Sequence, residues 1–191
     1  MHAEQAEYSP IVSTILANNR AFVGQGDAGE RPESGRPAKQ LAIVTCMDAR
    51  LTELLPQALG IRDGDAALIQ VAGATIVNPY GEAMRSLIVA IAELGVTDVM
   101  VIGHTDCGTC GMEANHLLAA LEQAGVPHGA VEAELMREPR ARDVLTGFNH
   151  LEDEVARSVR TIRSHPLVPM SVRVAGFTID VVTGALTPVN A

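Results

Sequence analysis

At 191 residues the chain is long enough for one domain with an adequate core, with room for an appended arm. Apolar residues make up 47% and aromatics only 3%, so the core is expected to be aliphatic, as in buried parallel strands covered by helices. The formal charge of −9 argues against nucleic acid as a partner, which needs a clustered basic surface, and few aromatics leave little for base stacking.

The N-terminal residues Met1-His2-Ala3-Glu4-Gln5-Ala6-Glu7 include acids and no apolar h-region, so no signal peptide is expected. No apolar run approaches the roughly 20 residues needed to span a bilayer, and no membrane partner is expected. Three cysteines are an odd count, poorly suited to a disulfide framework. A reducing cytoplasm, with thiolates free to bind metal, is the simplest expectation.

Ser9-Pro10 reads as a helix start, with serine as cap and proline in the first turn. Ile11, Val12, Ile15, Leu16, Phe22 and Val23 form the apolar side of a helix over residues 10–23. Residues 24–39 are polar and rich in glycine and proline, and read as an exposed linker. A helix held off by such a linker buries its apolar face on its own domain or on a partner subunit. From residue 40 to 191 the pattern is that of an α/β core, so the chain is expected to be a single domain with a mainly parallel central sheet flanked by helices and an N-terminal helical arm.

In that core, residues 41–45 read as a first strand. Residues 51–59 read as a short helix, open to a break at Pro56 and ending near Gly60. Asp63-Gly64-Asp65 signals a turn, residues 67–71 a second strand, and Ala72-Gly73-Ala74 permits close backbone approach. A helix is expected over 82–94, with Met84, Leu87, Ile88 and Ile91 inward and Gly95 as its stop. Residues 98–103 are an uninterrupted third strand. Residues 113–123 read as a helix carrying Leu117, Leu118 and Leu121. The charged stretch 126–146 holds Pro127 and Pro139 and reads as partly helical. Residues 151–164 form an amphipathic helix with Leu151, Val155, Val159 and Ile162 inward, stopping before Pro166. Residues 172–174 and 177–182 read as strand material, turning at Thr183-Gly184.

Two loop motifs carry the chemistry. Cys46-Met47-Asp48-Ala49-Arg50 follows the first strand, and His104-Thr105-Asp106-Cys107-Gly108 follows the third. In an open α/β sheet, sites form at this end of the strands. If the two strands are neighbours, Cys46, His104 and Cys107 converge as zinc ligands. Two thiolates and an imidazole suit zinc, and a catalytic zinc keeps one position free. A water there has its pKa lowered to about 7, giving the hydroxide that a hydration reaction needs. Asp48 and Arg50, alternate residues of an extended segment, are expected to point the same way and pair. Asp48 then either orients the water or occupies the fourth position itself, a closed state relieved when Arg50 captures it.

Blander readings stand beside these. Each cysteine alone is a candidate small buried hydrophobe. Cys107 and Cys110 are a candidate redox pair, or Cys110 a fourth ligand closing a structural site. His2, His116, His128, His150 and His165 read as surface or capping residues, Asp106 as loop-shaping, and Met84, Met100 and Met112 as packing.

Together the two motifs resemble the β-class carbonic anhydrases, and the Ala72-Gly73 segment with its following helix matches that family in order and spacing. The similarity runs over residues 41–108, and more weakly through His165-Pro166 to the tail at 180–184. The resemblance implies a four-stranded parallel sheet extended by a further strand. It implies a homodimer or higher homo-oligomer whose N-terminal helix packs on the partner, and zinc-dependent hydration of carbon dioxide to bicarbonate. Cys46, His104 and Cys107 then become the Zn2+ ligands, and Asp48 with Arg50 the catalytic pair. Two departures are visible. Gln70-Val71 stands where many members have Arg-Asn, which removes an arginine that serves bicarbonate regulation in some members and makes the surroundings more apolar. Cys110 adds a sulfur that the family pattern does not require. A linear sulfur analogue, carbonyl sulfide or carbon disulfide, is the alternative substrate, and a non-catalytic zinc-stabilised scaffold the alternative role.

Overall fold

The computed structural model describes residues 8–25, 32 and 34–191. His2 and the linker positions 26–31 and 33 lie outside the described residues. The chain divides into two units, Met1–Glu33 and Ser34–Ala191.

In the first unit, α1 (Pro10–Gly24) begins as its sequence suggests. Ser9 Oγ accepts the Val12 N–H at 3.4 Å, and Pro10 occupies the first turn, where a missing N–H costs nothing. None of its residues is buried.

The second unit carries β1 (Leu41–Cys46), α2 (Leu51–Leu59), β2 (Ala66–Val71), a 3-10 turn (Ala72–Ala74), α3 (Glu82–Ala92), β3 (Asp98–His104), α4 (Ala114–Gln123), α5 (His128–Arg137), α6 (Ala141–Leu145), α7 (Leu151–Arg163), β4 (Arg173–Ile179) and β5 (Leu186–Val189). The five strands form one sheet in the order β2-β1-β3-β4-β5, parallel except for the antiparallel β4–β5 pair. The chain runs from β1 to β2 on one side and returns to place β3 on the other. That reversal opens a crevice between the carboxyl ends of β1 and β3.

Both sheet faces are covered, which explains why residues 41–44 of β1 are all apolar rather than alternating. On one face Ala42, Val44, Val99 and Val101 pack with Met84 and Leu87 of α3 and Val155, Val159 and Ile162 of α7. On the other, Ile43, Ile102 and Ile179 pack with Leu51 and Leu55 of α2, together with Cys46 and Cys107. The α7 helix lies close against β4 because Gly176 has no side chain; a Cβ there would sit 2.8 Å from Val155 Cγ1.

The structure sharpens several expectations and corrects others. Pro56 leaves α2 unbroken; the carbonyl that loses its helical partner belongs to Thr52, which is exposed to solvent. The two strand segments 172–174 and 177–182 are one strand, β4, which stops at Ile179 because Asp180 turns the chain. Its Oδ1 accepts the amides of Val182 and Thr183 at 3.0 and 2.7 Å. Leu117 and Leu118 of α4 are only half-buried and Leu121 is exposed; the helix buries Ala114 alone. The stretch 126–146 holds two short helices, α5 and α6. His165, expected at the surface or as a cap, is 4% exposed because the chain folds back after α7. Its Nδ1 accepts the Leu167 N–H at 3.2 Å and its ring meets Tyr80 edge-on. His116, His128 and His150 are exposed. Among the described residues no helix is long and apolar enough to cross a membrane.

Candidate metal centre

Cys46 is the last residue of β1 and His104 the last of β3, and the parallel register Thr45↔Ile102 brings these strand ends together. The loop after β3 then returns Cys107 to the same point. One ligand atom from each of Cys46, His104 and Cys107 lies within 4.8 Å of the others, and all three residues are buried. The two sulfurs are 3.9 Å apart, far beyond the roughly 2.05 Å of a disulfide. Two thiolates bound to one zinc at about 2.3 Å and the tetrahedral angle stand about 3.8 Å apart.

The imidazole is aimed the same way. His104 Nδ1 donates to the Thr105 carbonyl at 2.8 Å, which leaves the Nε2 lone pair facing the sulfurs. Nε2 is fully buried and has no hydrogen-bond partner among the described residues. A buried polar atom left unmatched costs about 1–3 kcal/mol, and a cation held among the three donors would match this one. Soft sulfur donors with an imidazole suit zinc, and the residues present fit that ion.

Neighbouring groups tune the thiols. The Gly73 N–H donates to Cys46 Sγ at 3.3 Å, and Thr109 Oγ1 lies 3.0 Å from Cys107 Sγ. Burial pushes the Cys46 thiol up, and the backbone amides of Gly73 and Asp48 work against that rise. Gly73 holds φ +69°, and a Cβ on it would lie 2.5 Å from Thr109 Oγ1 and 2.9 Å from the Phe148 ring. Only glycine brings this amide onto the sulfur. The run of small residues at 72–74 signals the approach in the sequence; Thr109 carries no such signal and was missed.

Asp48 and Arg50 pair as expected, but by a different geometry. The segment is a turn, not an extended strand; Arg50 has helical dihedrals, φ −67° and ψ −22°, and leads into α2. Asp48 Oδ1 accepts the Arg50 backbone N–H at 2.9 Å, and the guanidinium donates from Nε to Oδ1 at 3.0 Å and from Nη2 to Oδ2 at 2.8 Å. These hydrogen bonds hold the Asp48 carboxyl far below the usual carboxylate range. Asp48 Oδ2 lies 3.7 Å from His104 Nε2, beside the unmatched nitrogen.

Asp106, expected to shape the loop, makes its side-chain contact with a guanidinium. It reaches the outer edge of Arg50, with Nη1 donating to Oδ2 at 2.8 Å. Cys110 is exposed, 3.6 Å from the Asn149 carbonyl, and stands outside the donor group. Val71 is half-buried at the end of β2, opposite Cys46 in the register. A cavity of about 470 Å³ opens beside Thr109, lined in part by Ala72, Val77, Met112 and Phe148.

Comparison with known proteins gives a consistent result. A family model described as carbonic anhydrase matches residues 41–186. Among curated relatives, the Bacillus subtilis protein YvdA, which carries a provisional carbonic anhydrase assignment, is 40% identical over 175 residues, 92% of this chain and 89% of that one. A carbon disulfide hydrolase of Acidithiobacillus thiooxidans is 29% identical over 176 residues, covering 87% and 86%. Among solved structures, a β-carbonic anhydrase of Trichomonas vaginalis superimposes with a TM-score of 0.80 at 28% identity, covering 95% of this chain and 98% of that one.

Proposed function

Because the chain belongs to the β-carbonic anhydrase family, we propose that it catalyses the reversible hydration of carbon dioxide to bicarbonate and a proton, at a zinc ion held by Cys46, His104 and Cys107. The observation that carries this reading is the buried donor set itself, with two sulfurs 3.9 Å apart and an unmatched imidazole nitrogen between strand ends. Zinc, when bound, supplies the Lewis acidity that lowers the pKa of a water to about 7. Asp48 Oδ2, 3.7 Å from His104 Nε2, would accept a hydrogen bond from the attacking water and turn its lone pair toward the substrate carbon. Arg50 keeps the carboxylate ionised, so Asp48 orients water and is too weak a base to carry the proton away. The proton leaves to solvent or buffer.

Stopped-flow assay of the zinc-loaded protein at about pH 8.5 tests the reading. Carbon dioxide hydration is expected, reduced at least about tenfold by Asp48→Asn; absence of hydration with zinc present rejects it. A second reading keeps the site and takes carbon disulfide or carbonyl sulfide, supported by the carbon disulfide hydrolase relative and the apolar Val71. Sulfide release without carbon dioxide hydration would put it first.

The same proposal extends to assembly and place. The family membership and the exposed apolar side chains of α1 support a homodimer or higher homo-oligomer, in which the N-terminal helix is an arm on a single α/β domain. Two thiol ligands support a reducing, cytoplasmic location.

A further inference from the structure

Asp106 sits between the donors His104 and Cys107, and the proposed reaction assigns it no task. Its backbone is left-handed, with φ +53°, a conformation that residues with a side chain adopt at a cost. That conformation aims both the carboxylate and the main-chain carbonyl at one guanidinium. Arg50 Nη1 donates to Asp106 Oδ2 at 2.8 Å, and Nη2 donates to the Asp106 carbonyl at 2.9 Å. From its other edge Arg50 donates to Asp48 through Nε at 3.0 Å and Nη2 at 2.8 Å. Four of the five guanidinium hydrogens are thereby committed, two to each aspartate. The Arg50 side chain is 46% exposed, so packing alone does not select its rotamer; the two aspartates do.

The Asp48 carboxylate is 3.7 Å from His104 Nε2, close enough to turn onto an ion held there. Whatever fixes Arg50 therefore fixes Asp48. We propose that Asp106 is a positioning residue that clamps Arg50 from its outer edge, so that Arg50 keeps the Asp48 carboxylate off the metal and the fourth position stays open to an incoming ligand. This inference rests on the proposed metal site but not on the substrate.

Azide titration of the cobalt(II)-loaded protein, followed by visible absorption at about pH 8.5, tests it. Asp106→Asn and Asp106→Gly both tolerate the left-handed backbone and retain the main-chain carbonyl, so each removes the carboxylate alone. The Asp106 side chain is 81% exposed, and solvent screening limits its contact to a modest effect. Azide affinity is expected to fall roughly three- to tenfold in both variants, as the freed Asp48 competes for the metal. In an Arg50→Gln background, where the clamp has nothing to hold, Asp106→Asn is expected to change nothing further. Unchanged azide affinity in both single variants overturns the proposal, and so does an equal loss in the Arg50→Gln background. Cobalt and azide binding by the wild type without carbon dioxide hydration would reject the proposed reaction and leave this inference standing. Failure of the wild type to bind cobalt at these three donors would remove both.

Discussion

Gly73 shows how much of the centre depends on one missing side chain. Its amide reaches Cys46 Sγ at 3.3 Å, while Thr109 and Phe148 close over the place a Cβ would occupy. In Gly73→Ala the new carbon meets Thr109 Oγ1 at 2.5 Å, too close to persist, and the left-handed φ adds strain. Thr109 must withdraw from Cys107, and the strained turn weakens the Gly73 amide's bond to Cys46. Metal affinity is expected to fall at least about tenfold, by analogy with the loss of outer partners at other metal centres. Stability should drop by about 1–3 kcal/mol. Competition with a chromophoric chelator and urea unfolding measure the two effects. Wild-type affinity in the alanine variant would show that the amide does not serve the sulfur.

Elements hold the site by what they do at their ends. The α7 helix has Glu152, Asp153 and Glu154 in its first turn and Arg160 and Arg163 in its last, matching the helix dipole at both ends. Its buried Ser158 accepts the Ile76 N–H at 3.0 Å, which pins the chain just after the turn that carries Gly73. At the end of β4, Asp180 turns the chain into β5, and the Thr183 amide and hydroxyl with the Val182 amide hold its carboxyl below the usual range. A carboxylate with a depressed folded pKa adds stability above its unfolded value, near 4, and loses it as pH falls through the folded value. Asp180→Ala is therefore expected to melt below the wild type at pH 7. The gap should close as pH drops through and below about 4. Thermal melts across that range read the difference; a gap that stays constant or widens in acid would contradict the account.

At the level of the whole molecule, the helical arm is the unexplained apolar surface. Ile11, Ile15 and Val23 of α1 are 68%, 57% and 68% exposed, a row of aliphatic side chains that a water-facing helix does not keep without use. Removal of residues 1–24 is expected to lower the oligomeric state, measured by sedimentation. The folded core should survive in the far-ultraviolet circular dichroism, because both core clusters are built from residues 41–189 of the second unit. A deletion variant with the mass ratio of the intact oligomer would show that the arm does not hold subunits together.

What the sequence determined by itself is whatever a period or a strong local preference encodes. Continuous apolar runs at 41–44 and 99–102 mark strands covered on both faces, and serine before proline marks where α1 starts. The sequence offers Cys46, His104 and Cys107 as a donor set on condition that their strands are neighbours, and the order β2-β1-β3-β4-β5 meets that condition. The tertiary structure decided what no period reaches. Asp106 stands one residue before Cys107 and Cys110 three after it, yet one clamps Arg50 and the other turns outward to the Asn149 carbonyl. His165 goes inside although its surroundings read as a surface turn. In a helix or strand the repeat sets which way a side chain points. In a loop the dihedrals do, and those are set by packing against residues far away in the chain, as Gly73 is by Thr109 and Phe148.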